Sequence, residues 1–211
     1  MTLEGKHILV TAGPTHEPID PVRVIANRSS GRQGFAIAEA AADLGARVTL
    51  VAGPVALDAS SAIKRIDVET AEQMANAVFD ALPADVAILV AAVADWRVEP
   101  SLAKLKKSDG PPQLQFVPTR DILKELGSSK LRPRLLIGFA AETENLIARA
   151  LDKRLAKNAD WILANDVSGD VMGGHRNRVH LVTPEGVEDW EEAAKEEVAR
   201  HLVARIEQEL G

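Results

Sequence analysis

The chain has 211 residues, 46% of them hydrophobic, which is enough for a substantial core in one fairly large domain or two small ones. Aromatic residues make up only 3% and tyrosine is absent, so small and branched aliphatic side chains must do most of the packing. The formal charge of -6 argues against a broad nucleic-acid surface, and the absence of cysteine excludes disulfides, thiolate metal sites and an enzyme-bound thioester.

The opening MTLEGKHILV lacks the long apolar segment of a signal peptide, and no apolar run approaches the ~20 residues that span a bilayer. The expectation is a soluble cytoplasmic protein that engages neither membrane nor nucleic acid. HILVTA reads as a buried strand. The chain then passes through TAGPTHEPIDPVRVIANRSSG before a helix over 34–45 that ends at Gly45. A plain strand-to-helix connection needs only a few residues, so this excess suggests a loop built to hold something. RVTLVAG is the next strand, followed by a shorter one around IKRIDVE. A helix over 71–82 places Met74, Val78 and Leu82 on one stripe. DVAILVAAVA is continuously apolar, as a parallel strand covered on both faces should be. LLIGFA and DWILAN are two more such strands, with a helix from about 143 to 158 between them, and RVHLVT is another. In a terminal helix from about 190 to 209, Val198, Leu202, Ile206 and Leu210 recur at helical spacing.

Strands alternating with helices predict an α/β fold: a mostly parallel sheet, helices on both faces, and ligands at the carboxyl ends of the strands. Residues 97–118 interrupt that alternation with Pro100, a Lys run, DGPP and the strand-like QLQFV. This segment reads as an excursion from the sheet, either a flap or a dimer arm. No internal repeat or linker divides the chain, so 1–211 is expected to be a single domain.

Four constellations carry candidate chemistry. In the first loop, Gly13 and Pro14 make a sharp turn, and Gly31 and Gly34 form S-G-x-x-G at a helix start. Backbone N–H groups there favour an anion, although Ser29 or Ser30 could equally act as a simple N-cap. The dinucleotide fingerprint G-x-G-x-x-G directly after the strand is missing. Arg23 and Asn27 lie four apart in the same loop. AAVADW ends the most apolar strand, where small residues let a ligand approach the backbone and Asp95 can point into a cleft. Lys104, Lys106 and Lys107 in KLKK concentrate positive charge suited to phosphate within an acidic chain. Lys153 and Lys157 share a helical face, and Asn165 and Asp166 end the strand that follows. The five histidines show no metal spacing, and only His16 sits in the first loop; the three tryptophans are too scattered for a base-stacking platform.

TAGPTHEPIDPVRVIANRSSGRQGFAIA, AAVADWR, KLKK, GFAAET and KNADWILANDVSG, in that order, resemble phosphopantothenoylcysteine synthetase, the ligase half of the bifunctional bacterial coenzyme A biosynthesis protein. The resemblance covers essentially the whole chain. It implies a Rossmann-like, dimeric fold whose sites are completed across the dimer. It also implies CTP-dependent ligation of 4'-phosphopantothenate to L-cysteine through 4'-phosphopantothenoyl-CMP, with Mg²⁺ or Mn²⁺. By family position, nucleotide contacts fall to Ala91, Asp95, Lys104, Val117, Pro118, Thr119, Arg120, Phe139, Lys153 and Lys157. Arg23, Ala91 and Ala92 match acyl-substrate positions, with Arg23 reaching into the neighbouring subunit. Asn27 matches a position linked to the intermediate. The metal ligands remain unassigned. VPTRD departs from the family's Lys-Asn-Pro-Asp run, and SGRQG from its Ser-Gly-Lys-Met-Gly. The flavin-bearing decarboxylase half that normally precedes the ligase is absent from the sequence, so no FMN is expected. The chain is then a stand-alone ligase or one domain of a fusion. A reductase on the same architecture would need the dinucleotide fingerprint and usually a catalytic tyrosine. A nucleotide-sensing module would bind CTP without releasing pyrophosphate.

Overall fold

The computed structural model describes residues 2–142, 144–166, 174 and 176–211. Thr143, Val167–Gly169, His175 and the side chain of Asp166, all singled out above, lie outside the described residues.

Six parallel strands form the centre of the molecule: β1 (His7–Ala12), β4 (Arg47–Ala52), β5 (Ile63–Asp67), β6 (Val86–Leu89), β9 (Leu135–Glu142) and β10 (Trp161–Asp166). They lie in the order β5-β4-β1-β6-β9-β10. The sheet is completed by β12 (Val179–Val182), antiparallel to β10, and then β13 (Val187–Asp189), antiparallel to β12. Helices cover both faces. Ile8, Val10 and Ala12 of β1 pack toward α1 (Arg32–Asp43) and α5 (Lys195–Leu210). Leu9 faces the opposite layer, with α2 (Ala71–Asp80), α3 (Ile122–Gly127) and α4 (Leu146–Ala156). The two-residue period of a strand therefore feeds two cores at once, which is why these strands are apolar throughout. Fully buried side chains such as Leu9, Leu50, Ile137 and Leu163 contribute about 1.5–3 kcal/mol each.

His7 belongs to this framework. Pro83 O lies 2.8 Å from its Nδ1 and can only accept, so Nδ1 donates to it, while Nε2 lies 2.9 Å from the Thr49 hydroxyl.

The α/β sandwich agrees with the sequence reading, but several boundaries move. DVAILVAAVA pairs as a strand only over β6. Beyond Leu89 the ladder breaks, Ala91 donating to Thr11 Oγ1 at 3.2 Å, and only a single parallel bridge to Pro14 remains at Ala92, which donates to Gly13 O at 2.9 Å. The first loop folds back on itself as a hairpin of β2 (His16–Pro18) and β3 (Val24–Ala26). The excursion leaves through β7 (Trp96–Arg97) and returns through β8 (Val117–Pro118), which pair antiparallel; QLQF itself joins no strand. The helix expected from 143 begins at Leu146, after Asn145 in the left-handed region with φ 53°. The terminal helix begins only at Lys195, because β14 (Ala193–Ala194) is held in extended form by β11 (Arg176–Asn177).

Strand order makes the crevice. The chain leaves β1 toward β4 on one side and leaves β6 toward β9 on the other, so the two connections diverge over the carboxyl ends.

Candidate active site

The diverging loops enclose a cleft of about 1030 Å³. Its near wall is the exit from β1. Gly13 has φ +80°, and a Cβ there would lie 3.2 Å from both Gly53 O and Val55 Cγ1, so the turn needs glycine for conformation and for space. Gly31 is the N-cap of α1, with φ 74°, and among the described residues no side-chain cap bond is made at this position. Ser29 does not cap it; its Oγ accepts from Gly31 N at 3.3 Å. The positive end of the α1 dipole therefore opens into the cleft through Gly31, Arg32, Gln33 and Gly34. Gly34 lets α1 press onto β1, since a Cβ there would stand 2.6 Å from the Ala12 Cβ.

Asn27 sits on the rim. Its Nδ2 donates to Val93 O at 2.9 Å, which fixes the amide and engages one of its two hydrogens. Ala91 and Ala92 form the floor. Their N–H groups are held by Thr11 Oγ1 and Gly13 O, and Ala92 forms a parallel bridge with Pro14. Thr15 Oγ1 accepts from Ala94 N at 2.9 Å and locks the same segment. Asp95 is exposed at the cleft mouth, and its carbonyl accepts from Thr119 N at 3.0 Å.

The far wall carries Phe139, Lys153 and Lys157. Lys153 is half-buried, and its Nζ donates to Phe139 O at 2.7 Å. Burial lowers its pKa below the ordinary lysine value; Glu142 opposes this shift and Lys157 adds to it. Lys157 pairs with Asp121, whose other oxygen caps α3 by accepting from Lys124 N at 3.1 Å. Burial pushes the Asp121 carboxyl up, but the Lys157 contact and the backbone bond outweigh it and its pKa falls. Arg120 also reaches the cleft, though its guanidinium is taken by Glu125, by Glu72 and Asn76 of α2, and by the Phe79 ring 5.6 Å away. In VPTRD, then, Arg120 clasps α2 to the start of α3, Asp121 caps α3, and the rim is lined by Pro118 and Thr119.

Of the expected site residues, the structure gathers Asn27, Ala91, Ala92, Asp95, Pro118, Thr119, Arg120, Phe139, Lys153 and Lys157 around one cleft. Arg23, Lys104 and Val117 do not line it. Arg23 pairs with the buried Asp20 and donates from Nη2 to Leu105 O at 2.7 Å, tying the hairpin to the arm. Its guanidinium is the main cause holding the Asp20 carboxyl well below the usual range. Lys104, Lys106 and Lys107 are exposed on the arm, and Val117 lies on its return strand. His16 pairs with Ala26 in the hairpin and is not a cleft residue. The sequence reading missed Gln33, Trp96, Asn177 and Lys195, which all line the cleft. For Lys195 a signal existed: it stands three, seven and eleven residues before Val198, Leu202 and Ile206, on the apolar stripe of α5.

Sequence comparison now places the chain. Residues 3–210 match the family described as the DNA/pantothenate metabolism flavoprotein C-terminal domain. The chain belongs to this family. Coenzyme A biosynthesis bifunctional protein CoaBC of Bacillus subtilis (strain 168) is 47% identical over 189 residues, which is 87% of this chain and 46% of the relative. The Haemophilus influenzae protein of the same name is 44% identical over 207 residues, 97% of this chain and 52% of the relative. A cysteine/cysteine sulfinic acid decarboxylase from an unknown prokaryotic organism is 43% identical over 97% of this chain and 58% of its own length. The chain thus spans about half the length of the curated relatives it matches. The crystal structure of the CoaBC C-terminal domain superposes with a TM-score of 0.85 at 43% identity, covering 99% of this chain and 97% of that one. A Cab2 mutant in complex with phosphopantothenate-cysteine shares the fold, with a TM-score of 0.79 at 18% identity, covering 97% of this chain and 87% of that one.

Proposed function

We propose that this domain joins 4'-phosphopantothenate to L-cysteine at the expense of CTP, through 4'-phosphopantothenoyl-CMP, with release of pyrophosphate and then CMP. The observation that carries this reading is one cleft with an oriented amide, Asn27, on one rim and two lysines, Lys153 and Lys157, on the other wall. A carboxylate is a poor acylating agent until its oxygen becomes a good leaving group, and in a chain without cysteine a mixed anhydride with CMP supplies that group. Lys153 and Lys157 offset the charge of a triphosphate as the anionic carboxylate approaches. The backbone of Ala91 and Ala92 on the floor holds the amides of the acyl substrate. Asn27 then donates its second amide hydrogen to the carbonyl oxygen on which charge grows when the amine attacks. Phe139 offers an apolar surface to ribose or base. The names of the curated relatives support the pathway, and their length supports a native fusion to a flavin-dependent decarboxylase half.

Among the described residues, no group of three His, Cys, Asp or Glu side chains could hold a metal alone. That donor set suits Mg²⁺ or Mn²⁺ carried in by the nucleotide phosphates, which need only one or two protein carboxylates. Asp95 is a candidate: it lines the cleft and makes no ion pair among the described residues, whereas Glu142 is held by Arg149 at 3.2 Å. The metal would neutralise phosphate charge.

The test is pyrophosphate release with CTP and ATP in parallel. We expect release that prefers CTP and requires both 4'-phosphopantothenate and Mg²⁺. CTP binding with no release would identify a sensor instead and overturn the ligase reading.

A homodimer completes the proposal. Val22 and Val24 of the hairpin and Leu102, Phe116 and Val117 of the arm are exposed, Leu102 at 99%, and Ser101 N donates to Ile19 O at 2.9 Å where the two segments meet. Such an apolar group calls for a partner surface. It would also bring Arg23 and Lys104 to a neighbouring cleft. Sedimentation is expected to show a dimer that becomes monomeric when Leu102→Asp and Phe116→Asp are combined. A monomeric wild type would remove this element.

A further inference from the structure

Three polar side chains at the α1/α5 end of the cleft have no place in the chemistry so far. Lys195, the first residue of α5, is only 6% exposed, yet its ammonium makes no ion pair among the described residues. Gln33 and Asn177 are buried beside the same cleft. Gln33 Nε2 donates to Lys195 O at 3.0 Å, which fixes the amide orientation and leaves Oε1 as an acceptor. Among the described residues, that oxygen and Asn177 Oδ1 are both buried without a hydrogen-bond donor. Buried acceptors are nearly always satisfied, so two together beside a cleft call for a ligand that brings donors. Burial lowers the Lys195 pKa first and the nearby Arg32 guanidinium adds to this, while Glu196 opposes it; none of these groups pairs with the ammonium among the described residues. The required ligand therefore carries an anion as well as donors. Phosphate supplies the anion but not the donors, because its oxygens would face two amide oxygens. An α-amino acid meets both, with an ammonium of three donors beside a carboxylate.

We propose that Gln33, Asn177 and Lys195 form the subsite for the amino-acid substrate, Lys195 taking its carboxylate and the two amide oxygens its ammonium. This rests on the ligase reading and adds where the amino acid is recognised. The test compares cysteine with cysteamine, which lacks only the carboxylate, in wild type and in Lys195→Gln, Lys195→Arg and Asn177→Leu. A charge-assisted contact predicts about 10- to 100-fold loss of kcat/KM for cysteine in Lys195→Gln, with cysteamine changed less than about threefold. Discrimination between the two amines should collapse in that variant and return in part in Lys195→Arg. Asn177→Leu should weaken both amines, and pyrophosphate release without amine should stay within about threefold of wild type in every variant. Preserved discrimination in Lys195→Gln overturns the proposal, as does a parallel fall in pyrophosphate release, which would assign Lys195 to the phosphates. If wild type releases no pyrophosphate at all, the ligase reading fails first and separately.

Discussion

Asn27→Asp is expected to lower amide formation about 10²- to 10³-fold while leaving nucleotide activation within about threefold of wild type. The substitution keeps the side-chain shape but removes both amide hydrogens. A carboxylate then faces Val93 O, which now receives a hydrogen bond of 2.9 Å, and also faces the oxygen that becomes an oxyanion. Charge develops on that oxygen only when the amine attacks, so the loss falls on the second step. Quenched reactions should show acyl-CMP accumulating in the variant. Equal slowing of pyrophosphate release and amide formation would take Asn27 out of this role.

The second large effect belongs to Lys153. Lys153→Met is expected to slow pyrophosphate release about 100-fold, with far-ultraviolet circular dichroism unchanged, because a charged donor at a phosphate is removed and an apolar stem of similar length remains. One hydrogen of the ammonium is held by Phe139 O at 2.7 Å, and the other two are available to phosphate oxygens. The lysine also sets an alkaline limit. Its pKa is lowered, chiefly by burial, so rising pH discharges it before an ordinary lysine at ~10.4 would discharge. Activation should therefore decline on the alkaline side with a midpoint below that value. Lys153→Arg, which keeps its charge throughout that range, should remove the decline even if its geometry slows the reaction. An alkaline limb identical in wild type and Lys153→Arg would show that another group titrates.

The parallel core was legible because its strands are buried on both faces and must be apolar without a break, as in ILV of β1 and LLI of β9. The β2/β3 hairpin was not legible. Its strands are three residues each, one contains Pro18, and β3 is mostly exposed, so neither shows a period. The end of β6 was hidden for a different reason: Val90 to Ala94 are as apolar as the strand before them, and only the bonds from Ala91 N and Ala94 N to the side chains of Thr11 and Thr15 interrupt the ladder. Asn27 and the far-wall lysines were singled out by the motifs that carry the family resemblance; taken alone they read as a turn asparagine and solvated helical lysines. Lys195 lies between glutamates in EEAAKEEVARH, where a solvated residue is the natural reading. Its closeness to Gln33 is tertiary, across 162 positions of sequence.

The divergence of the β1 and β6 connections has a consequence for how such a domain can change. The gap exists because of the route the backbone takes, not because of the side chains that border it. Residues at its mouth that carry no step of the chemistry, such as Trp96 and Pro118, are exposed and contribute little to the two cores. Selection can therefore exchange them to suit a new nucleotide or acceptor while the scaffold stays intact, and the tolerance ends at the strand exits, where Gly13 and Gly34 leave no room for a larger residue.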